Sequence, residues 1–239
     1  MASHQPCNVT LFTPFSPVRT WTHPIWMEGI RGAEHYIDRV FAFNNTNTEM
    51  ELLKAFFKEE MDVPNIVVPY PTVFHDKPAA VRAECIARMW TSASRVISSV
   101  SKYLLSVEED VVPEQGFLRQ MMEVMEANTE IAVLGLPVRS RHTKHRMVYM
   151  TRSIDPWMLG DVVPESTDRV QFVHSVSTSC ALIRTDLLKG FTFTGRPNED
   201  GSGGNGHEWS FMKKVLLAGK KVACLNIGSK HYVDEKTWV

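Results

Sequence analysis

Nowhere in its 239 residues does the chain approach the roughly 18 to 20 consecutive apolar residues that a membrane-spanning helix needs. Its opening residues, Met1 to Cys7, lack the basic flank and apolar run of a secretory signal. The cysteines, at positions 7, 85, 180 and 224, form no Cys-x-x-Cys pair, which excludes zinc-knuckle and thioredoxin-like patterns. A chain of this length does not depend on disulfide staples, so reduced thiols and a cytoplasmic location (host cytoplasm for a viral chain) are expected. Charge of one sign is missing too. The 26 Lys+Arg and 27 Asp+Glu leave a net −1, which gives no wholesale attraction to nucleic acid or membrane. No internal repeat and no long Gly-, Pro- or Ser-rich linker divides the sequence, so one domain over 1–239 is expected.

What is present suits a packed core. Hydrophobic residues make up 44% and charged residues 22%, which excludes a disordered chain. Asn8 to Phe12 reads as a short strand stopped by Pro14 and Pro17, and Tyr36 to Phe43 as a second, rich in aromatic and β-branched residues. Between Thr46 and Glu60, the residues Met50, Leu52, Leu53, Phe56 and Phe57 follow amphipathic helical spacing. Asn65 to Pro69 fits a third strand. The longest helix is expected from Pro78 to Val100, with Val81, Cys85, Ile86, Met89, Ala93, Val96 and Ile97 on its apolar face.

Tyr103 to Val107 then reads as a buried strand, followed by a helix carrying Phe117, Met121, Met122 and Met125. Ile131 to Leu136 is another strand. Val170 to Val176 and Ser179 to Ile183 read as a strand pair, a helix follows Gly206, and Lys221 to Ile227 forms a last strand. This alternation predicts an α/β fold: a mainly parallel sheet flanked by helices, with a small antiparallel extension after residue 150.

Three segments carry chemistry. Tyr103-Leu-Leu-Ser-Val-Glu-Glu-Asp110 runs an apolar strand straight into three acids. Ligands of open α/β sheets bind at the carboxyl ends of strands, and three carboxylates there repel one another unless a cation balances them. A divalent metal bridging to substrate phosphates is one solution. A solvated turn before Pro113, with Glu114 at a helix N-terminus, is the other. Asp200-Gly-Ser-Gly-Gly-Asn-Gly-His-Glu-Trp209 sets a Gly-rich loop before a helix but lacks the βαβ context of a dinucleotide fingerprint. It reads either as a solvated loop or as one that closes over a ligand. Residues 131–154 hold five Lys or Arg (139, 141, 144, 146, 152) and no acid, whereas Ser101 to Glu130 hold seven acids and two bases. The near-neutral total therefore conceals adjoining acidic and basic regions, the latter either a polyanion site or a solvated loop.

In combination these segments resemble the GT-A glycosyltransferases, particularly the family-2-like enzymes, through short elements in the same order over about residues 8–235. Glu108-Glu109-Asp110 resembles their metal-binding Asp-x-Asp element, with Glu in first position. Asn8-Val-Thr-Leu-Phe-Thr-Pro14 resembles the opening strand that ends in Thr-Pro beneath the nucleotide. Phe41-Ala-Phe-Asn-Asn-Thr-Asn47 resembles the second strand, with Asn44 where the family has Asp. Val81-Arg-Ala-Glu-Cys-Ile-Ala-Arg88 resembles the Arg/Ala-rich helix facing the donor. Gly206-His207-Glu208-Trp209 resembles the Gly-Glu-Asp element of inverting members, and His231 stands where related enzymes place a late histidine.

The resemblance implies one GT-A domain, with a donor half at about 8–135 and an acceptor and catalytic half at about 136–239. It implies a nucleotide-sugar donor, a UDP-sugar foremost, contacted by Thr13, Pro14, Asn44, Asn45, Arg82, Arg88 and Glu109. Mn or Mg would be held by Glu108, Asp110 and His231, and Glu208 would be the catalytic base of an inverting transfer. Acceptor contacts fall to Arg139, Arg141, Lys144, Trp157, His207 and Trp209. The acceptor stays open between hydroxymethylated DNA, of the kind some phage enzymes glycosylate, and a carbohydrate or lipid-linked hydroxyl. A non-catalytic nucleotide-sugar-binding protein on the same scaffold is the alternative. A nucleotidyltransferase is disfavoured, because Thr13-Pro-Phe-Ser-Pro-Val-Arg19 holds no glycine for a phosphate loop.

Overall fold

The computed structural model describes residues 8–15, 17–44, 47–59, 61–69, 79–155, 157–158, 160–195, 207–234 and 236–239. Its strands are β1 (Val9–Pro14), β2 (Ile37–Asn44), β3 (Asn65–Pro69), β4 (Tyr103–Val107), β5 (Val111–Pro113), β6 (Ile131–Gly135), β7 (Val148–Tyr149), β8 (Val170–Val173), β9 (Ser175–Val176), β10 (Cys180–Arg184), β11 (Lys221–Leu225) and β12 (Ser229–His231). Its α-helices are α1 (His23–Ile30), α2 (Asn47–Glu59), α3 (Ala79–Val100), α4 (Phe117–Ala127) and α5 (His207–Leu217).

One eight-stranded sheet runs in the order β3-β2-β1-β4-β10-β6-β11-β8. Strands β1, β2, β3, β4, β6 and β11 share one direction, and β10 and β8 oppose them. Short antiparallel pairs, β5 with β12 and β7 with β9, complete the α/β fold expected from the sequence. Successive residues of a strand face opposite sides. Leu11 and Leu105 therefore join Trp26, Phe57 and Met121 on the side of α1, α2 and α4, while Phe12 and Leu104 join Trp90, Ile97 and Phe211 on the side of α3 and α5. Burying a Leu or Phe of this kind stabilises the fold by about 1.5–3 kcal/mol.

Two expectations need correction. The segments read as a strand pair do not pair with each other: β8 lies at the sheet edge against β11, and β10 is inserted between β4 and β6. Burial supplies the reason. Cys180, Ala181, Leu182 and Ile183 are all 0% exposed, so both faces of β10 need cover, whereas Phe172 of β8 is 51% exposed. Helix α1 was not expected at all. Pro24 stands in its first turn, where a missing N–H is harmless, and Trp26 and Ile30 are buried beneath it.

Gly135 ends β6 against the start of the segment that later proves central. A Cβ at that position would lie 2.6 Å from Val176 Cγ2, so only glycine lets β9 pack this closely. Cys180 and Cys224 are buried free thiols, and Cys7 lies outside the described residues. Among the described residues no helix is long and apolar enough to cross a membrane.

Candidate functional site

Because six strands run the same way, the segments that follow β1, β4, β6 and β11 emerge at one edge of the sheet, and the start of antiparallel β10 meets the same edge. Arg19 follows β1, the acid triplet follows β4, Arg139 and Arg141 follow β6, and His231 follows β11. Cys180 pairs with Val107, which sets Ser177, Thr178 and Ser179 beside Glu108; the Glu108 N–H donates to the Ser179 carbonyl at 2.8 Å.

Asp110 is fully buried at the centre. Arg19 bonds its Oδ2 from one side, and Arg141 Nη1 lies 2.8 Å from the same oxygen. The His231 Nε2 is 3.4 Å from Oδ2, longer than a good hydrogen bond. Burial would raise the Asp110 carboxyl, but His231, Arg19 and Arg141 together hold it below the usual carboxylate range. Pairing between β5 and β12 sets His231 opposite Val111, and the Tyr232 N–H donates to the Asp110 carbonyl at 2.8 Å. The imidazole is oriented by Nδ1, 2.7 Å from the Arg139 carbonyl. Nδ1 donates to that carbonyl, which points Nε2 at Asp110.

Glu109 turns away from this centre. It is 4% exposed, with Arg19 Nη1 at 3.9 Å and His23 Nε2 at 3.5 Å. Arg19 is thus shared between Glu109 and Asp110.

Glu208 opens α5 on the other side of Glu108. Its Oε1 accepts from the Thr178 N–H at 2.7 Å, the Thr178 hydroxyl at 2.9 Å and the Ser177 hydroxyl at 3.1 Å. No donor among the described residues reaches Oε2. Burial pushes the Glu208 carboxyl up, and the Thr178 and Ser177 bonds offset part of that rise. Burial likewise raises Glu108, reinforced by the nearby charges of Asp110 and Glu208. Ser177 and Ser179 hydroxyls lie 2.8 Å apart, and Ser179 also bonds Glu108, so two serines span the gap between the acids. His207 is buried against Thr178, at 3.4 Å, and the Trp90 ring; burial drives its pKa down to about 4.

A divalent cation is the group that the Asp-x-Asp resemblance implies, and the donor set can be tested against one. Among the described residues there is no group of three or more His, Cys, Asp or Glu side chains that could hold a metal ion. Two atoms nevertheless lie buried without a hydrogen-bond partner among the described residues, Asp110 Oδ1 and His231 Nε2. A carboxylate and an imidazole whose other nitrogen is bonded to a carbonyl fit a cation that takes its remaining ligands from phosphate and water. Glu108 lies beside this pair.

The remaining expected residues divide. Thr13 is buried at the end of β1 with its hydroxyl unpartnered among the described residues, and Pro14 is partly exposed beside it. Arg88 is on the surface, 3.4 Å from Glu84 one helical turn away, which is an ordinary helix pair. Asn45, the Gly-rich segment 200–206 and the side chains of Asn44 and Arg82 lie outside the described residues. Trp157, expected among the acceptor contacts, is 3% exposed and packs on Trp209 with ring centres 6.5 Å apart. It belongs to the core because the chain folds back over α5.

The basic stretch is also largely engaged. Arg139 bonds Glu165 and Arg141 bonds Asp110, while Arg152 Nη2 lies 3.5 Å from Asp161. Arg146 is buried and donates to the Pro164 carbonyl and to Asn226 Oδ1. Lys144 projects at an exposed turn with φ 60°. The acids that balance the stretch come from residues 161–165 and from Asp110, outside the window in which the sequence showed none.

Sequence reasoning missed Arg19, His23, Ser177, Thr178 and Ser179. Only the last three left a signal: a run of hydroxyl residues, Ser175-Val-Ser-Thr-Ser179, directly before an apolar strand.

No protein-family model matches the sequence, and comparison with curated proteins finds no match. Comparison with solved structures does find likenesses. A mannosyltransferase, PcManGT from Pyrobaculum calidifontis in complex with GDP-Man and Mn2+, is 13% identical with a TM-score of 0.54, over 94% of this chain and 55% of its own. A mycobacterial protein is 11% identical with a TM-score of 0.53, over 95% of this chain and 68% of its own. A protein from STIV, 13% identical, aligns over 97% of this chain and 88% of its own with a TM-score of 0.49. The chain thus spans little more than half the length of the mannosyltransferase it resembles. At such identities the likeness shows the fold alone, a Rossmann-like glycosyltransferase fold.

Proposed function

We propose that the chain transfers a sugar from a nucleoside-diphosphate donor to an acceptor hydroxyl, with a divalent cation at the Asp110 and His231 site. The observation that carries this reading is the placement of an anchored, half-buried carboxylate, Glu208, next to the Glu108, Asp110 and His231 group at the carboxyl edge of such a sheet. That the neighbouring mannosyltransferase was solved with GDP-Man and Mn2+ supports the donor class and the cation. Both GDP- and UDP-sugars belong in the test.

In this mechanism Thr13 and Pro14, at the end of β1, lie under the donor. Asp110 Oδ1 and His231 Nε2 are the protein's ligands for the cation, with Glu108 beside them. A bound divalent cation supplies Lewis acidity to the leaving diphosphate. Glu208 takes the proton of the acceptor hydroxyl on Oε2, while Thr178 and Ser177 keep Oε1 fixed and hold the carboxylate's orientation through the transfer. Its raised pKa suits a base in a partly dry site, closer to neutrality than a free carboxylate. Attack from the Glu208 side in one displacement inverts the anomeric centre.

A panel of nucleotide sugars is scanned by thermal unfolding with Mn2+ present, and stabilising donors are then incubated with candidate acceptors under mass detection. The proposal expects one donor class to stabilise the chain and a hexose or pentose increment on one acceptor. No stabilisation by any nucleotide sugar contradicts it.

A further inference from the structure

Arg19 and Arg141 come from segments 122 positions apart in the sequence, one after β1 and the other after β6, and meet on a single oxygen, Asp110 Oδ2. Their side chains are 25% and 23% exposed, so each guanidinium reaches the buried acid from a side open to solvent. The other carboxylate oxygen, Oδ1, is buried without a hydrogen-bond partner among the described residues. Asp110 therefore presents two inequivalent faces, one neutralised by arginine and one bare.

We propose that Arg19 and Arg141 are diphosphate ligands held ready on Asp110, and that their transfer from Asp110 to the diphosphate couples donor binding to cation binding. This rests on the donor reading above. A divalent cation approaching Asp110 meets two guanidinium charges within a few ångströms, which weakens its binding. A diphosphate brings negative oxygens into the same space, and guanidinium pairs with phosphate in a two-bonded fork as readily as with carboxylate. Once the arginines turn to the phosphates, Oδ2 is released and the like-charge repulsion at Asp110 falls. His231 does not move in this exchange, because its Nδ1 is bonded to the Arg139 carbonyl and β12 is paired to β5. The result is an order of events built into the site: cation alone binds weakly, and cation with diphosphate binds strongly. By linkage, the factor by which diphosphate tightens the cation equals the factor by which the cation tightens diphosphate.

The test is a titration with Mn2+, read by the electron paramagnetic resonance signal of the free ion, with and without saturating GDP or UDP. Wild type, Arg19→Gln and Arg141→Gln are compared, each first shown to be folded by circular dichroism. Wild type is expected to bind Mn2+ at least about tenfold more tightly with the nucleotide. Each Gln variant is expected to bind Mn2+ alone about fivefold more tightly than wild type and to lose most of the nucleotide's effect. If a Gln variant does not fold, the Lys variant replaces it. Lys keeps the charge and removes the fork, so it should leave Mn2+ alone unchanged and still weaken the nucleotide's effect. Wild-type coupling in the variants, with unchanged binding of Mn2+ alone, overturns this inference while leaving the donor reading intact. Failure of wild type to bind GDP or UDP with Mn2+ overturns both.

Discussion

The backbone N–H of Thr178 donates to Glu208 Oε1 at 2.7 Å, and with two hydroxyls on the same oxygen it leaves Oε2 as the atom able to take a proton. Burial raises the Glu208 pKa while these bonds lower it again in part. Removing one of them must therefore raise the pKa further. Since a base at Glu208, as proposed, works when ionised, turnover should rise as pH rises through that pKa. Thr178→Val, which deletes the hydroxyl bond, should move the acid limb of the kcat profile upward by about one pH unit. An unmoved limb would mean that Glu208 does not set it.

His207 makes a separate prediction about stability. Its folded pKa of about 4 lies below the ordinary 6.5, so the unfolded chain takes up the proton first as pH falls. Its contribution is whole above about pH 6.5 and is lost between there and about pH 4, amounting to about 3 kcal/mol. Urea unfolding at about pH 7.5 and about pH 5 should show about 2 kcal/mol of this loss in wild type, with a clearly smaller difference in His207→Phe. An equal pH dependence in both proteins would show that the imidazole is accessible to protons in the folded state.

Arg146 and Lys144 separate structural from exposed charge in the basic stretch. Arg146 is 5% exposed and ties β11's end to the Pro164 segment, so Arg146→Ala should cost about 2–4 kcal/mol in denaturant unfolding. Lys144→Ala, at an exposed turn, should stay within about 0.5 kcal/mol. Comparable losses from both would contradict the assigned roles.

The sequence reveals what is local and hides what is long-range. Tyr103 to Val107 is legible as a buried strand because every residue in it is apolar or small, and the acid triplet is legible because it interrupts that run. The helix ending at Val100 is legible from its spacing. The central place of β10 is not, because an apolar strand of five residues looks the same whether it extends a sheet or is inserted into one. Arg19 carries no local mark at all: its partner is 91 positions away, and the stretch between holds three strands and three α-helices. The same holds for Arg139, whose Glu165 partner lies 26 positions on. Charge counts in a window measure neighbours along the chain, whereas ion pairs depend on neighbours across the fold.

Gly135 links the sheet to the segment that anchors Glu208, the proposed base. Gly135→Ala places a methyl 2.6 Å from Val176 Cγ2, which must shift, and with it the Ser177 and Thr178 donors that follow. The variant should lose about 1–3 kcal/mol of stability and lose turnover more than donor affinity. Wild-type kcat in a folded Gly135→Ala protein would show that the anchoring segment tolerates displacement.

The central claim is metal-assisted transfer with Glu208 as base, and the most direct measurement is nucleoside-diphosphate release from a stabilising nucleotide sugar with Mn2+ and its acceptor. Wild type should release it. Asp110→Asn should lose both release and Mn2+ dependence, and Glu208→Gln should keep donor binding while release falls by about 10²- to 10⁴-fold. Release by Glu208→Gln and Asp110→Asn at the wild-type rate would contradict the account.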